Sequence, residues 1–322
     1  MRKIFFTVLG LLAACALASA QVNYAVIEAR GSVLLENSRP RMSADYANIH
    51  IKGDFAPSVH FRWRQRLTKP LYDASNPLNA TDILSLTWDI TEKWTVSAGK
   101  LPIYIGGYEW DDAPIDVYYW NGFCNRIQHV YSLGGSVAFH PAAGQEILLQ
   151  VVNSPLHGGN LSLMDVGLGW LGQVAPWWKT LWSVNLIDDP YHHMMGYVSL
   201  GNRFEAGPLA LELDVMYRRS LKQANAQFDG SIGGRLEYRP SDKWQLFAKG
   251  GWDGNDDNID PDGVAYDLTV PPGTQYWYGG GGVEFFPLGN DKIRLHAVAW
   301  TESETRLFSA SVGLTFRFHF VK

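Results

Sequence analysis

Hydrophobic and polar side chains alternate along most of this chain with a period of two. Residues 58–67 read Ser-Val-His-Phe-Arg-Trp-Arg-Gln-Arg-Leu. Successive side chains of a strand point to opposite faces, so Val59, Phe61, Trp63 and Leu67 share one side while His60, Arg62, Arg64 and Arg66 share the other. A helix would mix the two sets, and only Gln65 interrupts the apolar side. The same alternation sets Phe308, Ala310, Val312, Leu314, Phe316 and Phe318 against Ser309, Ser311, Gly313, Thr315, Arg317 and His319. Leu209, Leu211, Leu213, Val215 and Tyr217 stand in the same way against Glu212, Asp214 and Arg218. Strands of this kind can set one face in hydrocarbon and the other in water.

The pattern predicts strands near 24–36, 41–54, 57–68, 82–91, 94–104, 127–139, 146–153, 161–172, 180–189, 192–204, 209–220, 229–240, 244–254, 276–287, 292–303 and 306–320. Short turns at 54–57, 91–93, 141–145, 175–179, 205–208, 240–243 and 287–291 alternate with longer connections near 69–81, 105–126, 154–160, 221–228 and 255–275. Short periplasmic turns and long external loops are the plan of an outer-membrane barrel, with both chain ends on the periplasmic side. Strands of about eleven residues, tilted near 40°, rise about 27 Å, the height of the apolar band of such barrels. Trp63, Trp88, Trp94, Trp182, Trp244 and Tyr217 fall near strand ends on the apolar face, where an aromatic girdle belongs. The expected fold is all-β: one domain forming a transmembrane antiparallel β-barrel of about 16 strands.

Composition narrows this further. The 13 tryptophans, 15 tyrosines and 32 glycines suit strands and tight turns. Arg2 and Lys3, an apolar run to Ala18, and Ala18-Ser19-Ala20 before Gln21 predict a secretory signal peptide over 1–20 and a mature barrel over 21–322. Leu12-Ala13-Ala14-Cys15 also resembles a lipobox, which makes Cys15 a candidate lipidation site. Beyond residue 20 no apolar run is long enough for a helical span. Simple cleavage leaves Cys124 as a lone thiol, so the chain is not a disulfide scaffold. The formal charge of -5 becomes more acidic without Arg2 and Lys3, which gives no reason to expect nucleic acid. The partners to expect are lipid and lipopolysaccharide of a Gram-negative outer membrane, and small hydrophilic solutes.

The arginine stripe is the sharpest candidate site. Side chains two apart on a strand are nearly 7 Å apart, so neighbouring guanidiniums repel by roughly 2 kcal/mol at an effective dielectric near 20. The next strand offers the hydroxyls of Ser85 and Thr87, with Asp89 near the periplasmic end. One reading is an anion-attracting wall at a constriction. The other is a pin, in which Asp111, Asp112 or Asp116 bonds to these arginines and fixes the 105–126 loop. The two are compatible, because bases facing acids across an eyelet also set a transverse field on permeating solutes. The predicted pore wall is His60, Arg62, Arg64, Arg66, Arg126, Arg235 and Arg294, and the predicted constriction loop carries Tyr108, Glu109, Trp110, Asp111, Asp112 and Asp116. Arg203, Arg239, Lys249, Arg317, Asp165, Glu212, Asp214, Glu237 and Glu284 also point inward on this register.

Weaker signals lie elsewhere. Asp253, Asn255 and Asp257 have the alternation of a Ca²⁺ loop, but Val264 stands where an EF-hand closes with glutamate, so a solvated acidic loop is the stronger reading. Tyr108, Trp110, Tyr118, Tyr119 and Trp120 could stack on sugars or peptides, although packing against the wall is the commoner use of such rings. His192-His193 lacks zinc-site spacing and reads as a rim pair. The competing classes are a lipid-acting barrel enzyme and a non-conducting scaffold. No Gly-x-Ser-x-Gly is present and no Ser-His-Asp set can be assembled, so neither catalysis nor a cofactor is expected.

Residues 96–120, Val-Ser-Ala-Gly-Lys-Leu-Pro-Ile-Tyr-Ile-Gly-Gly-Tyr-Glu-Trp-Asp-Asp-Ala-Pro-Ile-Asp-Val-Tyr-Tyr-Trp, resemble the strand and pore loop of the phosphate-selective porin O and P family, in the branch common in Bacteroidota. Further similar pieces are 148–155, 181–188, 197–218, 272–288 and 294–297. The resemblance implies a trimeric porin for passive diffusion, with the loop after Leu101 folded into the lumen. The phosphate-selective members combine an arginine ladder with basic pore loops, whereas this loop carries Glu109, Asp111, Asp112 and Asp116. The end, Phe318 to Lys322, departs as well, since many barrels finish on the aromatic residue.

Overall fold

The computed structural model describes residues 20–36, 39–70, 78–127, 130–223, 229–256, 258–304 and 308–321. Residues 1–19 of the expected leader, Cys15 among them, and Asp257 of the Ca²⁺ candidate lie outside the described residues. The strands are β1 (Gln21–Glu36), β2 (Arg39–Ala56), β3 (Val59–Arg66), β4 (Thr81–Thr91), β5 (Trp94–Pro102), β6 (Tyr131–Phe139), β7 (Gln145–Asn153) and β8 (Met164–Ala175). They continue with β9 (Trp178–Ile187), β10 (Met195–Ala206), β11 (Leu209–Ser220), β12 (Asp229–Ser241), β13 (Trp244–Asn255), β14 (Gln275–Phe285), β15 (Ile293–Glu302) and β16 (Phe308–Val321). Each strand pairs with its neighbours in sequence and β1 pairs with β16, which closes the barrel. All pairings are antiparallel, with Ala29 opposite Phe316 and Val33 opposite Val312 at the seam.

Alternation sorts the faces as the pattern predicts. On β4, Leu84, Leu86, Trp88 and Ile90 are exposed while Ile83 and Ser85 are buried. On β16, Phe308, Val312, Leu314, Phe316 and Phe318 are exposed while Ser311 and Thr315 are buried. The outward residues form an apolar belt, and aromatics cluster at the short-turn end. Trp94 packs on Phe139 at 4.7 Å, Trp244 on Phe285 at 4.6 Å, and Trp177 and Trp178 stack with Phe204. Gly207, at φ 58°, makes the reversal between β10 and β11, a left-handed conformation that a Cβ disfavours.

The lumen is not uniformly polar. Ile103, Ile105, Phe123, Ile127, Val152, Ile187, Met195, Tyr197 and Met216 form a buried apolar cluster inside the barrel. Each fully buried aliphatic or aromatic side chain there contributes about 1.5–3 kcal/mol relative to exposure. The 103–130 connection supplies Ile103, Ile105, Phe123 and Ile127, so this loop packs onto one side of the barrel as a second layer. It contains two short helical turns, α1 (Tyr108–Asp111) and α2 (Gly122–Arg126). The expected strand from 127 starts at Tyr131 instead. The Asn121 side chain accepts a hydrogen bond from the Cys124 N–H and caps α2, so local capping overrides the alternation.

Candidate functional site: a loop-narrowed lumen

The loop is laid against the wall by glycines and carboxylates. The Gly106 N–H donates to Ser183 Oγ on β9 at 2.8 Å, and the Gly107 N–H to the Leu181 carbonyl at 3.1 Å. A methyl at Gly169 on β8 would sit 1.8 Å from the Tyr104 ring, and one at Gly201 on β10 would lie 2.7 Å from Gly107 Cα. At Gly106 it would meet the Leu181 carbonyl oxygen at 2.6 Å. At Gly106 and Gly201 only glycine permits this approach of two backbones, whereas Gly169 makes room for the Tyr104 ring. The Tyr108 and Glu109 N–H groups both donate to Asp214 on β11, at 2.9 and 2.8 Å, and the Gly122 N–H donates to Asp253 on β13 at 2.8 Å. Wall carboxylates thus satisfy the free N–H groups at the start of both helical turns.

From there the loop acids pair with bases of successive strands. Glu109 meets Lys249 on β13 at 2.5 Å, and Asp112 meets Arg235 on β12 at 2.5 Å. Asp116 meets Arg294 on β15 and Arg317 on β16, each at 2.6 Å. Arg30 on β1 donates to the Ile115 and Val117 carbonyls, both at 2.8 Å, and Tyr118 donates to Glu284 on β14 at 2.5 Å. Burial would raise the Asp116 carboxyl, but Arg294 and Arg317 outweigh it and hold it below the usual carboxylate range. Burial prevails at Asp112 and pushes its carboxyl up to about 7 against the pull of Arg235.

The pin expected between loop acids and Arg62, Arg64 and Arg66 is therefore formed by other bases. The arginine row has its own partners. Asp82 on β4 lies 3.1 Å from Arg66 and 3.5 Å from Arg64, and it accepts from the Tyr46 hydroxyl at 3.0 Å. Arg64 also donates to the Tyr131 hydroxyl. The Arg62 Nε–H donates to His50 at 3.0 Å, and His60 sits between Asp54 at 2.5 Å and Asp89 at 2.9 Å. Strict alternation from Ser85 and Thr87 would turn Asp82 outward. The β3–β4 register shifts between Arg64 and Gln65, skips Asp82, and turns it in among the arginines.

Between the β3 row and the loop lies a cavity of about 980 Å³. Its lining runs from Lys69 and Asn79 beside the external connections to His140 and Glu146 beside the β6–β7 turn. Arg62, Arg64, Arg66 and Lys100 line one side, and Trp110, Asp111 and Asp112 the other. Of the predicted wall, His60, Arg62, Arg64 and Arg66 stand together on β3, whereas Arg235 and Arg294 lie on β12 and β15 under the loop. Arg126 is not a wall residue, because it ends α2 within the loop and pairs with Glu304. Of the predicted loop, Glu109, Asp112 and Asp116 are pins, and Trp110 donates to the Ile103 carbonyl at 2.8 Å. Tyr108 holds through its backbone, while the Asp111 side chain faces the cavity.

Two further expectations change. Asp253 is occupied by the Gly122 N–H and the Ser231 hydroxyl, and Asn255 donates to the Val270 carbonyl at 2.7 Å. These two residues brace loops rather than hold Ca²⁺, and no metal-ligating cluster occurs among the described residues. His192 is exposed, as a rim residue would be, but His193 is buried between Asp189 at 3.0 Å and Asp260 at 3.2 Å, joining two external connections. The loop-seating glycines were legible as Gly-Gly at 106–107, although nothing local marked their partners on β8 and β10.

A closed sixteen-stranded barrel with an apolar outer belt and a lumen narrowed by an inserted loop has the architecture of an outer-membrane porin. The resemblance found at 96–120 is borne out: the family model described as Phosphate-selective porin O and P matches residues 22–165. A barrel of sixteen strands is wide enough to leave an aqueous channel for solute diffusion. No curated protein matches the chain. Among solved structures, OmpT of Vibrio cholerae in a trimer form is 10% identical with a TM-score of 0.58, covering 93% of this chain and 100% of that one. OmpF of Salmonella typhi, in complex with daunomycin, is 11% identical with a TM-score of 0.64, covering 93% and 98%. OccD3 of Pseudomonas aeruginosa is 10% identical with a TM-score of 0.53, covering 93% and 92%. At these identities the likeness is one of fold.

Proposed function

We propose that this porin passes small polar or charged solutes through a constriction set between Arg62, Arg64 and Arg66 on one side and the Asp111 edge of the inserted loop on the other. The observation that carries this is the cavity between β3 and the loop, whose lining reaches from the external connections to the β6–β7 turn. Bases on one wall and acid on the facing loop give a transverse field that acts on polar solutes. The chain acts as a homotrimer in the outer membrane, in contact with lipid and lipopolysaccharide, after removal of residues 1–20. The trimer form described for OmpT of Vibrio cholerae supports the assembly. The reading is of a channel and not of an enzyme: Glu109, Asp112 and Asp116 of the loop are engaged by wall bases that fix its position, and Asp111 faces the passage.

Planar-bilayer recording tests it. Replacing Arg62, Arg64 and Arg66 with Ala should shift the reversal potential toward cations and raise conductance. Unchanged selectivity in a variant that still conducts would remove these residues from the filter.

A further inference from the structure

Many charges in the lumen are matched; Lys69 and Lys100 line the same cavity without an ion-pair partner among the described residues, and so do two groups of opposite sign, Arg62 and Asp111. Arg64 and Arg66 share Asp82, Arg30 pairs with Asp45 at 3.4 Å, and the other loop acids pair with Lys249, Arg235, Arg294 and Arg317. Arg62 has no carboxylate partner among the described residues; its guanidinium Nε–H donates to His50 Nε2. Asp111 has no hydrogen-bond or ion-pair partner for its carboxylate among the described residues, and its side chain is exposed into the cavity that Arg62 also lines. The two groups feel each other across that space. The confined lumen raises the Asp111 carboxyl, and the charge of Arg62 is what opposes the rise.

We propose that Arg62 and Asp111 form a subsite for small zwitterions of the α-amino-acid class, which lie across the waist with carboxylate on Arg62 and ammonium on Asp111. This rests on the channel reading above and adds the solute class to it. The reason is one of sign. A simple anion gains from Arg62 but is repelled by Asp111, and a simple cation meets the reverse, so neither is favoured by both walls. A zwitterion satisfies both at once, and it replaces part of the hydration it sheds on entering the waist. Tyr131 and Trp110 line the same cavity and give the solute's side chain an amphipathic surface. Because both partners stay solvated by the lumen, the site is weak enough to release what it admits, as conduction requires.

Four solutes of nearly equal size separate the possibilities: L-alanine, a zwitterion; lactamide, neutral; lactate, an anion; and alaninamide, a cation. In swelling of liposomes that hold the purified full-length protein, alanine should enter about five-fold faster than lactamide, the order of gain expected of a weak two-point site. Arg62→Gln and Asp111→Asn should each bring that ratio close to one, and Asp111→Asn should also move the reversal potential in lactate toward anions. The double exchange of Arg62→Asp with Asp111→Arg should restore the alanine preference, since the dipole can turn round. Equal entry of alanine and lactamide through a protein that conducts would overturn the subsite and leave the channel standing. Preference for lactate without preference for alanine would assign the waist to simple anions and overturn it too. A protein that conducts no ions would overturn the channel reading itself, and the subsite with it.

Discussion

The two halves of the barrel interior use the same residue types for opposite ends. From β12 round to β16, four inward bases are engaged by the inserted loop: Lys249, Arg235, Arg294 and Arg317 each hold one of its acids. At β3 the described part of the inserted loop leaves the wall open, and the bases of that strand line the cavity with Asp82 to balance Arg64 and Arg66. Charge on the covered side fixes a position, and charge on the open side faces the cavity where the constriction is proposed. The difference follows from the seat. Gly201 and Gly106 let the loop backbone approach β10 and β9, and Gly169 on β8 makes room for the Tyr104 ring.

The largest effect should come from undoing the seat. Asp214→Ala removes the acceptor of two loop N–H groups, at Tyr108 and Glu109. Hydrogen bonds to a charged group contribute about 1.5–3 kcal/mol each, enough to let α1 leave the wall while the barrel remains closed by its strands. Single-channel recording should show conductance changed by about two-fold or more, with added open-channel noise from a mobile loop. An unchanged, quiet conductance would mean that the glycine contacts seat the loop without Asp214, and the contrast between the two halves would rest on backbone fit alone.

A smaller effect should come with pH, and its sign is fixed by Asp112. Burial raises this carboxyl to about 7, so it is mostly ionised at pH 8 and mostly protonated at pH 6. Protonation removes one negative charge from the loop edge and leaves Arg235 less well balanced. Acidification over that range should therefore shift the reversal potential toward anions, and Asp112→Asn should give the low-pH selectivity at every pH. A pH response that persists in Asp112→Asn would place the titrating group elsewhere in the lumen.

Much of this plan was legible in the sequence, and the failures have one cause. Period-two alternation located the strands because it reports which side of a sheet meets hydrocarbon, and Phe308 to Phe318 could hardly fold otherwise. Alternation fails where the backbone slips. Asp82 turns inward through an irregularity in the β3–β4 register, so the counter-charge of the arginine row could not be read from Ser85 and Thr87. A pin was one of two readings for Asp111, Asp112 or Asp116, and the pattern did not show that Glu109 would join Asp112 and Asp116 or which bases they would meet. Their pairing depends on the route from β9 across to β1, set by tertiary contacts at Gly106, Asp214 and Asp253 rather than by local pattern.

Arg126 sets the lower limit of the comparison, because it looks like the wall arginines in sequence and differs in placement. It closes α2 on the covered side, and its partner Glu304 belongs to an external connection and is half-exposed. A pair so placed contributes about 0–1 kcal/mol, since water and salt screen it. Arg126→Ala should therefore leave thermal stability within about 2–4 °C of the parent and leave reversal potential unchanged, whereas Ala at Arg62 should shift it. Thermal melts and bilayer recordings on the two variants side by side check this. A selectivity shift at Arg126 as large as that at Arg62 would mean that a base held in the loop also acts on the passing solute, and position in the barrel would no longer separate pins from filter.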